Sequence, residues 1–183
     1  NTVEQFQNAL NQLLKQGAKG LVFDVREDGG GLVAALEKIV DPLLPAGDIA
    51  TATYQDGTTK VLVHSDANEL NLPMMVLVNG NTASAAELFT ASLKDFGKAE
   101  VIGEQTFGKG IMQNTFELPD GGAVTLTVAT YQTTKGECYH GVGITPDVIM
   151  EEDYEKVDFD HPNPEQDAQL KQAMELLQSK ISS

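Results

Sequence analysis

Cysteine is all but missing from this chain: Cys138 is the single one among 183 residues, so no internal disulfide can form and cysteine usage says nothing about compartment. Cations are scarce as well. Lys and Arg number 12 against 27 Asp and Glu, giving a formal net charge of -15 and a pI near 4.4. A field of that sign repels phosphates, which argues against nucleic acid or anionic membrane as partners. No apolar run approaches the roughly 18 residues of a membrane helix, and no basic-plus-apolar leader stands at Asn1. The chain is expected to be a soluble piece trimmed from something longer. His64, His140 and His161 fall at no metal-ligand spacing with one another or with Cys138, so neither a metal nor another cofactor is expected. There is also no G-x-S-x-G elbow, no repeat at solenoid period and no low-complexity tract.

What is present reads as one domain. With 41% hydrophobic residues, a chain of this length buries about two thirds of its unfolded surface. Thr2 and Gln5 stand in capping-box spacing ahead of Val3, Phe6, Leu10, Leu13 and Leu14, predicting an amphipathic helix ended by Gly17. Residues 20–25 form a short apolar run before the glycine turn Asp28-Gly29-Gly30-Gly31, as a buried strand of a parallel sheet would. A helix follows from Leu32 and closes at Pro42 and Pro45. Residues 49–54 and 60–64 alternate about Asp56-Gly57, and residues 111–118 and 123–131 about Asp120-Gly121, which predicts two hairpins. Between them lie strands at 73–78 and 99–102, separated by a helix carrying Leu88, Phe89, Leu93 and Phe96. The expected layout is a leading helix over 1–16, a core over 17–150, a solvated acidic linker over 151–162 and a helix over 163–180. That last helix would start at Asn163-Pro164 and bury Leu170, Ala173, Met174 and Leu177.

Two positions carry chemistry. Ser84 follows a strand and a Gly/Asn turn, stands among small residues, and opens a helical pattern, so unpaired amides of a first helical turn lie beside it. That suits a nucleophile, and it equally suits an N-cap. Lys109 lies in Gly103-Glu104-Gln105-Thr106-Phe107-Gly108-Lys109-Gly110, almost a P-loop. Gly110 replaces the hydroxyl residue that would hold magnesium, and a strand pattern follows where a helix is required, so nucleotide binding is rejected. An ordinary lysine, with a pKa of about 10.4, is protonated at neutral pH; packed away from water, a lysine can act as a base. Lys109 is therefore either a loop lysine in water or a base. Gln113, four residues on, shares a face with it in strand or helix, and its amide can orient an amine without adding charge. Nucleophile, base and orienter are the parts of a triad.

Several blocks now point one way. Gly20-Leu21-Val22-Phe23-Asp24-Val25-Arg26 with its glycine turn, Asn79-Gly80-Asn81-Thr82-Ala83-Ser84-Ala85-Ala86-Glu87, the Gly103 to Gly110 loop with Gln113, and Gly143-Ile144-Thr145-Pro146-Asp147 occur in that order. Together they resemble the C-terminal processing, or tail-specific, serine peptidases. The resemblance implies an α/β fold with a mixed, largely parallel sheet, flanking helices and a ClpP/crotonase-like spiral core. It implies peptide-bond hydrolysis through an acyl-enzyme near the C-termini of protein substrates, outside the cytoplasm and without a cofactor. Ser84 is then the nucleophile, Lys109 its general base and Gln113 the residue that positions the lysine. The oxyanion hole comes from the backbone N–H of Ala85 and of a glycine in turn 29–31, with Gly30 preferred. Asp24 and Arg26 form a structural ion pair. Family members usually carry a PDZ domain ahead of the core, and often a signal or anchor; neither is read here, nor is the strand that normally precedes the first helix. The turn after Arg26 reads Glu-Asp-Gly-Gly-Gly where the family tends to Asn-Asn-Pro-Gly-Gly. The expectation is the catalytic core alone, set against a non-catalytic peptide-binding or scaffold domain in which Ser84 is only a cap.

Overall fold

In the computed structural model, which describes residues 1–66 and 69–182, the strands divide between two four-stranded sheets. The first is wholly parallel, in the order β1 (Leu21–Asp24), β4 (Met74–Val78), β5 (Ala99–Gly103), β8 (Val148–Ile149). Its central strand, β4, is Met-Met-Val-Leu-Val, apolar at every position and buried throughout, as a strand covered on both faces must be. Successive side chains of a strand point to opposite faces. Met74, Val76 and Val78 accordingly join the main core, while Met75 and Leu77 meet Ile102, Ala173 and Leu177 on the other side. Each such buried side chain contributes about 1.5–3 kcal/mol.

The second sheet is antiparallel, in the order β3 (Thr59–Ser65), β2 (Gly47–Tyr54), β7 (Ala123–Thr133), β6 (Ile111–Glu117). Both predicted hairpins form, so the mixed character expected of the sheet is shared out between two sheets. Helices α2 (Val33–Val40) and α3 (Ala85–Asp95) pack against the main core, and α4 (Ala168–Ile181) covers the back of the parallel sheet. Helix α1 (Thr2–Lys15) lies outermost; it has no buried residue and attaches through Phe6, whose ring stacks on Phe23.

Four sequence expectations differ from the structure at this level. The N-cap of α1 is Asn1, with no side-chain cap bond, so the Thr2/Gln5 capping box is not made. Helix α4 opens at Ala168 because the Asp167 carboxylate caps it, accepting from the Leu170 N–H at 2.8 Å, while Pro164 and Gln166 lie in a turn. Met174, placed in the apolar stripe of α4, is 48% exposed. The acidic segment before α4 is also more than a solvated linker: the Glu152 carboxylate accepts from the Gln169 N–H, and the Tyr154 hydroxyl donates to Glu104.

Candidate active site

The loops that follow β1, β4 and β5 leave the same edge of the parallel sheet, the edge where its strands end. Open α/β sheets bind ligands at that edge. Here the loops are laced together. The Ala83 N–H donates to the Asp28 carbonyl, the Thr82 hydroxyl to the Val25 carbonyl, and the Phe107 N–H to the Thr82 carbonyl. Glu27, held at a φ of 59°, accepts from the side-chain amides of Asn79 and Asn81. Ser84 and the 104–110 loop are thus set against the turn that carries Gly30.

Ser84 has a φ of 59° and a ψ of -120°, a conformation that costs a non-glycine residue about 1–3 kcal/mol. A sharp, strained turn from strand to helix is also the shape of the nucleophile elbow, which lifts a serine hydroxyl clear of the backbone. The G-x-S-x-G pattern is lacking, yet the bend itself is built. Of the two roles open from the sequence, the geometry places Ser84 at the N-cap position of α3. Glu87 supplies its half of a capping box, accepting from the Ser84 N–H at 2.9 Å, while the reciprocal approach of the Ser84 side chain to the helix falls short of a hydrogen bond. The neighbour of Ser84 Oγ is the Tyr131 hydroxyl, 3.4 Å away.

Glu87 is fully buried and accepts from four donors. Its Oε1 takes the Thr106 hydroxyl and the Gly108 N–H, and its Oε2 takes the N–H groups of Ser84 and Lys109. One carboxylate oxygen therefore ties the backbones of the expected nucleophile and base together. The Lys109 carbonyl is held in turn by the Tyr131 hydroxyl at 2.9 Å. Gly108, beside it, has a φ of 90°, and a Cβ there would lie 2.9 Å from the Gly143 nitrogen, so only glycine lets the loop pass. Burial pushes the Tyr131 hydroxyl up from its usual range, which keeps it protonated and neutral.

The Lys109 side chain is half-buried. Among the described residues no hydrogen bond joins its Nζ to Ser84 Oγ or to Gln113. Gln113 is exposed, on β6 opposite Thr127 and next to a bulge in the β6/β7 ladder. Gly30 meets Ser84 more closely: with its φ of 88°, a Cβ there would come within 2.6 Å of both the Ala83 oxygen and the Ala85 nitrogen. Its own N–H donates to the Asp28 carboxylate at 2.8 Å. The Ala85 N–H, first of helix α3, has no partner among the described residues. Beside Gly30 and Ala85 opens a cavity of about 460 Å³ with Phe6, Val25, Leu32, Leu36, Ile39 and Phe89 among its walls.

The turn is anchored from behind. Arg26 is buried, and it bonds Asp24, as expected, and also Asp167 and Gln169 at the start of α4. Burial alone would push the Asp167 carboxyl up, but the hydrogen bonds from Arg26 and the Leu170 N–H, with the arginine charge, hold it below its usual range. Sequence reasoning left Glu87, Tyr131 and Asp167 without roles. The Ser84-to-Glu87 spacing is a capping-box signature and was legible; the other two act through partners distant in sequence and gave no local signal.

Comparison with known proteins adds a context. A family model for peptidase family S41 matches residues 1–150. A carboxyl-terminal-processing protease of Synechocystis sp. is 36% identical over 177 residues, 97% of this chain and 41% of that protein. Carboxy-terminal processing protease CtpA of Bacillus subtilis is 38% identical over 160 residues, 86% of this chain and 34% of that one. A solved photosystem II D1 C-terminal processing protease matches with a TM-score of 0.76 at 38% identity, over 82% of this chain and 39% of that structure. The chain spans about two-fifths or less of the length of these relatives.

Proposed function

The chain belongs to peptidase family S41, and from that membership we propose that it is a serine peptidase core in which Ser84 attacks a peptide carbonyl and Lys109 takes its proton. The observation that carries the reading is the shared oxygen of Glu87, which accepts from the backbone N–H of both residues. In the reaction, Ser84 Oγ bonds to the carbonyl carbon as its proton passes to the Lys109 amine. The oxyanion that forms is met by the Ala85 N–H and by turn 29–31, where the Gly30 N–H exchanges the Asp28 carboxylate for it. Removing one such donor typically costs about 10²–10³ in rate. The Lys109 ammonium then protonates the departing amine, and water attacks the Ser84 ester to release the acid. Gln113, exposed on β6 four residues beyond Lys109, is assigned to steady the lysine when that side chain turns toward it. No step requires a metal or cofactor.

The apolar cavity beside Gly30 and Ala85 supports an apolar residue next to the scissile bond. The names of the relatives, carboxyl-terminal-processing proteases, support cleavage near the C-termini of protein substrates. The test is hydrolysis of unstructured peptides with apolar C-terminal residues by the wild type, Ser84→Ala and Lys109→Ala. Turnover should fall by about 10³-fold or more in each variant, since nucleophile and base act as a unit. Equal turnover in either variant would sink the assignment. Peptide binding without any product in the wild type would instead mark a non-catalytic peptide-binding domain.

A further inference from the structure

We infer that the Tyr131 hydroxyl is a positioning residue of this site, holding the Lys109 carbonyl and receiving the Ser84 hydroxyl on one oxygen atom. The inference rests on Ser84 and Lys109 being nucleophile and base. It follows from counting protons. A tyrosine hydroxyl has one proton and lone pairs to accept others. That proton goes to the Lys109 carbonyl at 2.9 Å, so across the 3.4 Å contact with Ser84 Oγ the serine is the donor and the tyrosine the acceptor. The resting serine thus points its proton at Tyr131 and turns it to Lys109 only to react.

Tyr131 is well fixed for this work. It is 3% exposed, its ring packs edge-on against Tyr139, and its strand belongs to the antiparallel sheet, whereas Ser84 follows a strand of the parallel one and Lys109 lies in the loop that joins the two sheets. The Tyr131 N–H donates to the Gly110 carbonyl, so backbone and side chain of one residue hold both sides of the Lys109–Gly110 segment. Glu87 fixes Lys109 from its N–H side, and Tyr131 fixes it from its carbonyl side. Between the two, the lysine stem has a defined origin. No proton passes through Tyr131: its bond to the Lys109 carbonyl persists while the Ser84 proton moves to the amine.

Tyr131→Phe removes the hydroxyl and keeps the ring that packs on Tyr139. Assayed well below the melting temperature of both proteins, the variant should lose about tenfold in kcat with KM unchanged, the size of one lost hydrogen bond. In carbon-13 NMR the Lys109 carbonyl resonance should move upfield as it loses its donor. An unchanged kcat, or a raised KM at constant kcat, would overturn the inference. If the wild type hydrolyses no peptide, it is the assignment of Ser84 and Lys109 that falls, and the Lys109 carbonyl resonance still decides the position of Tyr131. A resonance that stays in place in the variant overturns it, and one that moves upholds it.

Discussion

Ser84 stores strain, and Glu87 offsets it. A backbone at φ 59° and ψ -120° persists only where its surroundings over-determine it, and here the Ser84 N–H is fixed by a buried carboxylate that also grips Thr106, Gly108 and Lys109. Glu87→Gln keeps the shape but turns one acceptor oxygen into a donor facing N–H groups. Each buried donor left unsatisfied costs about 1–3 kcal/mol, so thermal melts should show a marked loss of stability and peptide assays a fall in kcat together. Gly30→Ala should act differently. The added Cβ would sit 2.6 Å from the Ala83 oxygen and the Ala85 nitrogen, and displacing those atoms by about 1 Å can cost 10²-fold in rate. A kcat within a factor of two of wild type would contradict the placing of the oxyanion turn. Tyr139 gives a control nearby: its buried hydroxyl has no partner among the described residues, so Tyr139→Phe should leave the melting temperature unchanged or raise it. At this scale Ser84 and Lys109 stood out in the sequence through their glycine-rich and small neighbours. Tyr131 did not, because nothing beside it in the chain tells which way a strand residue faces.

Helix α4 is joined to the site through Arg26. Its cap, Asp167, binds the guanidinium that also holds Asp24 at the end of β1, and the turn with Gly30 starts immediately after. Asp167 is held below its usual range in the folded chain. A carboxylate depressed on folding contributes stability that is present above its unfolded pKa, about 3.9, and is lost as pH falls through the lower folded value. Below pH of about 4, therefore, the wild type should lose thermal stability more steeply than Asp167→Asn, which has no such group to titrate; parallel acid limbs would refute the linkage. The sequence made the body of α4 legible, since Ala173 and Leu177 keep helical spacing. Its start was misplaced because two N-terminal signals compete, and the choice between Asn163-Pro164 and Asp167 is made by Arg26, 141 residues away. The strands were easier. Uniform apolarity marked β4 for a two-sided burial, and Asp-Gly pairs marked both hairpins.

The whole molecule sets a parallel sheet beside an antiparallel one and builds its candidate site where they meet. Ser84 and Gly30 follow the ends of parallel strands, Lys109 lies in the loop from β5 to β6 that joins the sheets, and Tyr131 comes across from β7. The ordered blocks of the sequence carried the expectation that the first three act together. They could not foretell the second sheet's contribution, which depends on how the sheets pack. The central claim is that this convergence makes Ser84 a nucleophile with Lys109 as its base. A fluorophosphonate, which forms a stable ester with an activated serine, tests it most directly when the modified residue is mapped by peptide mass spectrometry. The adduct should form on Ser84 in the wild type and be lost or much slowed in Lys109→Ala. An unmodified Ser84, or an adduct formed equally fast without Lys109, would contradict it.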